Sequence, residues 1–276
     1  MRYELRGSRK PHAPQKARDK RGERVVGWLF FTTLVDKNLM ANNYYTAVPF
    51  GHSSYAFLLW DSSIKSYINC YLLLRPPHTI LIDTGKAEHL TSLIATLSNL
   101  GVAPEDITHI ISTHGHQDHV GGAVGFPFAH KHIHAKDIPL LTETSLAEFI
   151  PNLPDNGAML GMQCQLLGQH TLGSIALFDP QSRAVFCGDH ICFFGDALPK
   201  DGPVSYGGKL REITYRYIHK WMRGPEHLDD NNLALFLKGL TTLANFEAEV
   251  LCTGHGAILT GDIIPFLAGL QKAASR

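Results

Sequence analysis

Short apolar runs separated by turn residues dominate the chain between residues 44 and 82. Four of these runs are rich in aromatic and β-branched residues and are bounded by glycine, Asp-Ser or Pro-Pro signals, which predicts β-strands. The runs cover residues 44–50, 54–60, 67–74 and 79–82. The spacing then changes, because leucine and isoleucine recur at i, i+3, i+4 and i+7 from Leu90 to Leu100. That spacing predicts a helix over residues 86–100 that ends at Gly101.

The remainder of the chain alternates between strand-like and helix-like segments. Strands are predicted over residues 108–112, 128–134, 163–167, 174–178, 184–187 and 249–252. Helices are predicted over residues 138–149, 209–222, 229–246 and 262–272, with a loop bearing glycine and proline over 195–208. Because strands occur both in hairpin runs and in alternation with helices, the sequence predicts an α/β fold built in layers.

Charge divides the chain into a basic N-terminal extension and a mildly acidic body. The 276 residues carry 25 Lys+Arg and 25 Asp+Glu, so the formal net charge is zero. Ten of the basic residues but only four of the acidic ones lie in residues 1–39. This segment includes a short apolar run and is predicted to be a disordered extension, with the folded domain over 40–276. The alternatives are a targeting segment, or sequence upstream of a start at Met40.

The composition excludes several classes of protein. At 44% hydrophobic residues the chain can bury a core. No run approaches the roughly 20 apolar residues of a membrane span. An acidic body and a zero overall charge give no support for nucleic-acid binding. The five cysteines are scattered without a Cys-x-x-Cys pair, which argues against a disulfide framework and predicts a reducing, cytoplasmic location.

The strongest chemical signal is a histidine-rich turn directly after the strand predicted over 108–112. Three histidines and one aspartate fall within six residues, at His114, His116, Asp118 and His119. A strand end would send the first two side chains to one face, and the following turn can bring the other two to a neighbouring point. Neutral imidazole and carboxylate suit zinc, iron or manganese. The alternative is a solvated polar loop, and the density of ligand-type side chains argues against it.

The segment from Thr113 to Gly122 resembles the Thr-His-x-His-x-Asp-His-x-Gly-Gly signature of the metallo-β-lactamase superfamily. Four further segments resemble the other motifs of that family, in the same order along the chain. They are Asp83-Thr84-Gly85, Gly168 to Ser174, Gly188-Asp189 and Gly254-His255-Gly256. The resemblance covers nearly the whole body from about residue 42. It implies a four-layer αβ/βα sandwich of the metallo-β-lactamase type, with metals at one edge between the two sheets.

The resemblance also implies a role for individual residues. Seven side chains would hold two divalent metal ions, zinc or else iron or manganese, in the sets His114, His116, His170 and Asp118, His119, His255, with Asp189 bridging. Asp118 would in addition orient the nucleophile. Asp83 would accept a hydrogen bond from an imidazole N–H and so fix the tautomer of that ligand.

The function implied is that of a dinuclear metal-dependent hydrolase, in which a metal-bound hydroxide attacks a small-molecule thioester or related carboxylic ester. The residue at position 189 helps to distinguish the branches of the superfamily, because the best-known dinuclear lactamases have cysteine at this position and the present sequence has Asp189. Aspartate instead favours the hydrolase branches with a bridging carboxylate, namely thioesterases of the glyoxalase II kind, lactonases and phosphodiesterases. Cys187 lies two residues earlier and is predicted to face the core. The alternatives are lactone or amide hydrolysis, phosphodiester hydrolysis, a mononuclear iron persulfide dioxygenase and a non-catalytic metal-binding protein.

Residues 193–230 resemble the family least and are basic and aromatic. Candidates for contact with an anionic substrate in and beside this region are His190, Tyr206, Lys209 and Arg211. The alternative is an amphipathic helix with a solvated basic face. Outside the motifs, three histidines alternate along one predicted strand and are expected to line an exposed face. They are His130, His132 and His134.

Overall fold

The structure is a computed structural model that describes residues 45–195, 197–223 and 230–275. The predicted basic extension over 1–39 lies outside the described residues. Seven strands form the first sheet in the order of the sequence. They are β1 (Tyr45–Gly51), β2 (Ser54–Asp61), β3 (Ser66–Arg75), β4 (His78–Ile82), β5 (His109–Ile111), β6 (His130–His134) and β7 (Phe149–Leu153). Strands β1 to β4 pair antiparallel, and β4 to β7 pair parallel.

The second sheet has the strand order β12-β14-β13-β11-β10-β9-β8. Its members are β8 (Asn156–Met159), β9 (Met162–Leu166), β10 (Ile175–Asp179), β11 (Ala184–Phe186), β12 (Val204–Ser205), β13 (Val250–Cys252) and β14 (Ile258–Thr260). Four of its pairs are antiparallel, whereas β12 pairs parallel with β14 and β11 pairs parallel with β13. The carboxyl ends of β11 and β13 therefore meet at the same edge.

Six α-helices accompany the sheets within the described ranges. They are α1 (Leu90–Ser98), α2 (Gln117–Val120), α3 (Glu143–Leu146), α4 (Gly208–Trp221), α5 (Asp230–Ala244) and α6 (Ile263–Ala274). Apolar residues of α4, α5 and α6 pack on the outer face of the second sheet, and those of α1 pack on the outer face of the first. Among the described residues, no helix is both long and apolar enough to cross a bilayer.

Alternating side chains explain how one strand serves two apolar layers. In β10, Ile175 and Leu177 belong to the cluster between the sheets, whereas Ala176 and Phe178 belong to the cluster under the helices. Successive strand residues point to opposite faces, so a strand that is apolar throughout is buried on both sides. The result is a helix–sheet–sheet–helix sandwich, which confirms the four-layer α/β fold expected from the sequence.

The prediction was wrong for the helix over residues 138–149. The structure has a 3₁₀ turn at Ala135–Leu140, the single-turn helix α3 and then strand β7. Pro139 interrupts regular helical bonding, and Thr142 begins a new turn by accepting a hydrogen bond from the Ser145 N–H. The helix over 86–100 likewise starts later, because a 3₁₀ turn precedes α1.

The two sheets meet along one edge, where their backbones are hydrogen bonded. The Thr113 carbonyl accepts from the Ile175 N–H at 3.0 Å, and the Gly254 carbonyl accepts from the Asn69 N–H at 2.8 Å. Strands β4, β5, β9, β11 and β13 all end at this edge. The loops that follow these strand ends carry the predicted ligands, and they are therefore brought to one place by the topology.

Candidate metal centre

All seven predicted ligand side chains lie together at the edge where the sheets meet. We call this group the site cluster; its members are His114, His116, Asp118, His119, His170, Asp189 and His255. Three overlapping trios within it offer ligand atoms that all lie within 4.8 Å of one another, namely His114, His116, His170; His114, His119, Asp189; and Asp118, His119, His255. His116 Nδ1 is 3.1 Å from His114 Nε2 and 3.0 Å from His170 Nε2. The first and third trios are the two sets expected from the sequence.

Asp189 lies between the two sets of histidines. Its Oδ1 is 3.3 Å from His119 Nε2, and its Oδ2 is 3.4 Å from His170 Nε2 and 3.3 Å from His255 Nε2. The close approach requires glycine at position 254, because a Cβ there would collide with Asp189 Oδ1. Asp189 therefore occupies the position from which one carboxylate can contact both sets.

The far sides of the histidine rings are fixed by hydrogen bonds. His119 Nδ1 donates to Asp83 Oδ2 at 2.9 Å, which is the hydrogen bond expected for Asp83. His255 Nδ1 donates to the Tyr67 carbonyl at 2.9 Å. Because Nδ1 carries the proton in both rings, Nε2 is left to face the centre of the cluster. Partners of this kind orient metal-binding histidines and set their tautomer.

Asp83 adopts a backbone conformation that favours glycine. Its φ is +55°, in the left-handed region that non-glycine residues rarely occupy. Thr113 compensates by donating from its backbone N–H to Asp83 Oδ1 and from its hydroxyl to Oδ2, both at 2.8 Å. The strained turn thereby points the carboxylate at the back of His119.

Asp137 is a buried residue that the sequence motifs do not include. Its Oδ2 accepts from the Gly115 N–H at 2.8 Å and from the Thr171 hydroxyl at 2.6 Å. Its Oδ1 accepts from the Gly173 N–H at 2.6 Å. One carboxylate thus joins the turn that carries His116 to the turn after β9. No spacing in the sequence indicates this role, because Asp137 lies outside all five motifs.

The histidines of the cluster fall into two electrostatic classes. Burial lowers the pKa of His114 well below 6.5 and the pKa of His170 to about 3. Burial also acts to lower the pKa of His119 and His255, but nearby carboxylates, Asp189 first, outweigh it. The pKa of His119 is therefore raised well above 6.5, and that of His255 is raised to about 9.

The donor set fits divalent cations. Burial alone would raise the pKa values of Asp118 and Asp189, but His119 and His255 outweigh it and hold both carboxyls well below 3.8. Within the site cluster, four buried atoms have no hydrogen-bond partner among the described residues: Asp189 Oδ1 and Oδ2, His119 Nε2 and His255 Nε2. Buried polar atoms without partners are rare in proteins. Carboxylate and imidazole atoms converging without hydrogen bonds are what zinc, iron or manganese would require.

His190, a predicted substrate residue, faces away from the cluster. It is 1% exposed, and its Nε2 lies 3.1 Å from the Phe236 carbonyl in α5. Gly239 allows this packing, because a Cβ there would collide with the imidazole. The structure therefore corrects the expectation: His190 fixes the Asp189 loop against α5 and does not reach the open side of the site.

The predicted anion clamp is also largely occupied by internal contacts. Arg211 is buried, and its guanidinium donates to the carbonyls of Thr260, Gly261 and Asp262 at 2.6–3.1 Å. The Arg211 guanidinium also lies 4.3 Å from the centroid of the Tyr206 ring. These contacts tie α4 to the start of α6, so they correct the expectation that Arg211 is available to a substrate. Of the predicted clamp, Lys209 remains exposed without an assigned role.

A second group of histidines lies on the inner face of the first sheet. We call it the histidine ladder; its members are His78, His109, His130 and His132. His132 Nδ1 donates to Asn152 Oδ1 at 3.0 Å and its Nε2 accepts from His109 Nδ1 at 3.1 Å. His132 and His134 are buried, which corrects the expectation that the alternating histidines line an exposed face; only His130 is exposed.

Comparison with known proteins agrees with this geometry. The family model described as the metallo-beta-lactamase superfamily matches residues 64–155. The metallo-beta-lactamase domain-containing protein 1 of Xenopus laevis is 53% identical over 49 residues, which is 18% of this chain and 21% of the frog protein. The uncharacterized protein YobT of Bacillus subtilis is 26% identical over 230 residues, covering 75% of this chain and 90% of YobT.

In two further comparisons, the matched region spans about half of a relative and about 60% of the chain of a solved structure. A hydroxyacylglutathione hydrolase of Yersinia pestis is 32% identical over 136 residues, covering 46% of this chain and 49% of that enzyme. The rubredoxin oxygen:oxidoreductase of Desulfovibrio gigas superposes with a TM-score of 0.64 at 18% identity, covering 83% of this chain and 61% of that chain. At that identity the structural likeness shows the fold alone.

Proposed function

Because the chain belongs to the metallo-β-lactamase superfamily, we propose that it is a metal-dependent hydrolase that uses two divalent ions and cleaves a thioester or related carboxylic ester. The observation that carries the proposal is the position of Asp189. Its two buried oxygens lie 3.3–3.4 Å from imidazoles of both histidine sets and have no hydrogen-bond partner among the described residues. A carboxylate in this position favours a site with two neighbouring ions over a site with one.

The residues around the cluster divide the chemical tasks. When bound, two divalent ions supply Lewis acidity, which acidifies water and polarises a carbonyl oxygen. Asp118 has a 14% exposed side chain, and its Oδ2 lies 3.5 Å from His255 Nε2. It is the carboxylate of the cluster that solvent reaches most readily, so it can orient water and hold its proton. Asp83 keeps His119 in one tautomer throughout.

Solvent reaches the cluster at His170 as well as at Asp118. The His170 side chain is 12% exposed, whereas those of His119 and His255 are fully buried. Leu172, two residues after His170, is 72% exposed and offers an apolar surface beside this opening. An acyl group with apolar character can contact that surface while its carbonyl carbon reaches the cluster.

The thioester assignment has two supports. A carboxylate rather than a thiolate stands at position 189, as in the glyoxalase II branch that the motifs resemble. The hydroxyacylglutathione hydrolase of Yersinia pestis is similar over about half of each chain. A thioester also suits the geometry, because a thiol is a good leaving group and a dedicated buried acid near the leaving atom is not required.

The test measures metal content and turnover on the same protein. Purified full-length chain is analysed for bound metal and assayed with S-lactoylglutathione, a lactone, a β-lactam and an aryl phosphate. We expect two divalent ions per chain and thiol release from the thioester. His116→Ala should lose metal and turnover together, because His116 lies between His114 and His170.

The matched control is His130→Ala, which removes a histidine of the ladder. We expect it to keep both the metal and the turnover of the wild type. Full turnover of His116→Ala without metal would contradict the proposal. Hydrolysis of another class in the panel, with the metal present, would keep the hydrolase and reject the thioester.

A further inference from the structure

Cys192 differs from the other four cysteines in its surroundings. Each of the others belongs to one of the three apolar clusters of the core: Cys70, Cys164, Cys187 and Cys252. Cys192 is 3% exposed and free, yet it belongs to none of these clusters. Cys192 therefore stands apart from the apolar clusters that contain the other four cysteines.

The Cys192 sulfur instead lies beside the site cluster. Its Sγ, a carboxylate oxygen of Asp189 and a ring nitrogen of His255 all lie within 4.8 Å of one another, and all three residues are buried. His255 Nε2 and both Asp189 oxygens have no hydrogen-bond partner among the described residues. Two independent ligand-type groups thus face the same small volume as the thiol.

The loop that carries Cys192 is fixed against His255. The Phe193 N–H donates to the His255 carbonyl at 3.0 Å, and the Phe194 ring stacks on the His255 imidazole at 4.5 Å between centroids. The chain leaves Asp189 through a 3₁₀ turn and becomes extended at Ile191. Cys192 is therefore held beside its two neighbours by backbone contacts rather than by chance rotation of an exposed side chain.

We propose that Cys192 is a ligand of the metal position that includes His255, so that this position has nitrogen, oxygen and sulfur donors. The inference rests on the proposed function, because it needs a cluster that binds metal. Ligation replaces the S–H bond by an S–metal bond and releases the proton to solvent. Thiolate is a soft ligand, and a mixed donor set of this kind favours zinc over manganese at that position.

The test uses cobalt(II) as a spectroscopic substitute for zinc. Full-length protein is stripped of metal and loaded with two equivalents of cobalt(II), with bound cobalt measured directly. We expect an intense near-ultraviolet band from thiolate-to-cobalt charge transfer. Cys192→Ser should bind cobalt without this band. Cys187→Ser is the matched control, because Cys187 is also buried and lies two residues before Asp189, but its Sγ faces the carbonyls of Gly188 and Ile191.

The outcomes separate this inference from the proposed function. A wild type that binds cobalt without the thiolate band overturns the role of Cys192 and leaves the hydrolase standing, as does a band that persists in Cys192→Ser. A wild type that binds no cobalt overturns both. If Cys192→Ser does not fold, X-ray absorption of the zinc-loaded wild type decides, with a sulfur neighbour at about 2.3 Å expected and its absence contradicting the inference.

Discussion

The site cluster and the histidine ladder are both dense groups of histidines, and they differ in what lies between the rings. The site cluster includes the carboxylates of Asp118 and Asp189, which lie 3.3–3.5 Å from imidazole nitrogens, and several of its potential ligand atoms have no hydrogen-bond partner among the described residues. In the ladder, His109 bonds to His132 and His132 bonds to Asn152. Its rings thus satisfy one another and a neutral amide.

The difference shows that histidine density alone does not indicate a metal site. Among the described residues, the trios whose ligand atoms are close enough to share an ion include no ladder histidine. In the ladder, His109 has a pKa lowered to about 4, by burial first and then by the neighbouring histidines, with no carboxylate opposing them. In the site cluster, carboxylates reverse the effect of burial for His119 and His255. Interleaved negative charge is what distinguishes the two groups.

The largest expected effect is that of removing Asp137, the carboxylate that joins two loops of the site cluster. In Asp137→Ala, three donors lose their shared acceptor in the interior. The free energy of unfolding should fall by about 3 kcal/mol or more, since each stranded buried donor costs about 1–3 kcal/mol. Urea unfolding of the metal-free protein measures this loss. Asp106→Ala, which removes one exposed capping contact, should change stability little, and equal losses in the two variants would contradict the prediction.

The next effect concerns Asp83, which fixes the tautomer of His119 in the site cluster. Asp83→Asn removes the charged acceptor of the His119 Nδ1–H. Metal affinity should fall by about 10- to 100-fold, the usual cost of losing such a partner. Competition with a chromophoric chelator measures it. Asp61→Asn is the control, because Asp61 is also a buried carboxylate but pairs with Lys86; unchanged affinity in both variants would refute the role of Asp83.

The smallest effect is expected in the ladder and depends on pH. Unfolded histidine titrates near 6.5, whereas folded His109 titrates at about 4, so the unfolded state binds more protons between these values. The contribution of His109 is therefore complete above pH 6.5 and is lost as pH falls towards 4. Thermal unfolding of His109→Gln should show a weaker dependence on pH in this window than the wild type. His219→Gln, at an exposed position, is the control, and identical slopes for all three proteins would contradict the prediction.

Most of the fold could be predicted because strand and helix periodicities are explicit in this sequence. The prediction was less successful for β7 and β8, which are edge strands. Pro151 and Asn152 interrupt the apolar pattern of β7, and β8 is exposed along most of its length. Edge strands are partly exposed to water, so their sequences show the apolar pattern of a strand less clearly than those of central strands do.

The convergence of the seven candidate ligands could be predicted because the five motifs lie at or beside strand ends, and these ends meet where the two sheets join. The surroundings of the ligands could not. Asp137, Arg211 and His190 all bond to main-chain groups that are distant in sequence, and any residue can supply such groups. When a side chain bonds to a main-chain carbonyl or N–H, its partner can be any residue type, so no sequence motif indicates the contact.

The site cluster draws its members from both halves of the sandwich. His114, His116, Asp118 and His119 follow a strand of the first sheet, while His170, Asp189 and His255 follow strands of the second. Cations bound there would cross-link the two halves of the sandwich at the edge where the sheets meet. The two halves could then separate only if the ions were lost, so the same ions that enable chemistry would also hold the molecule together.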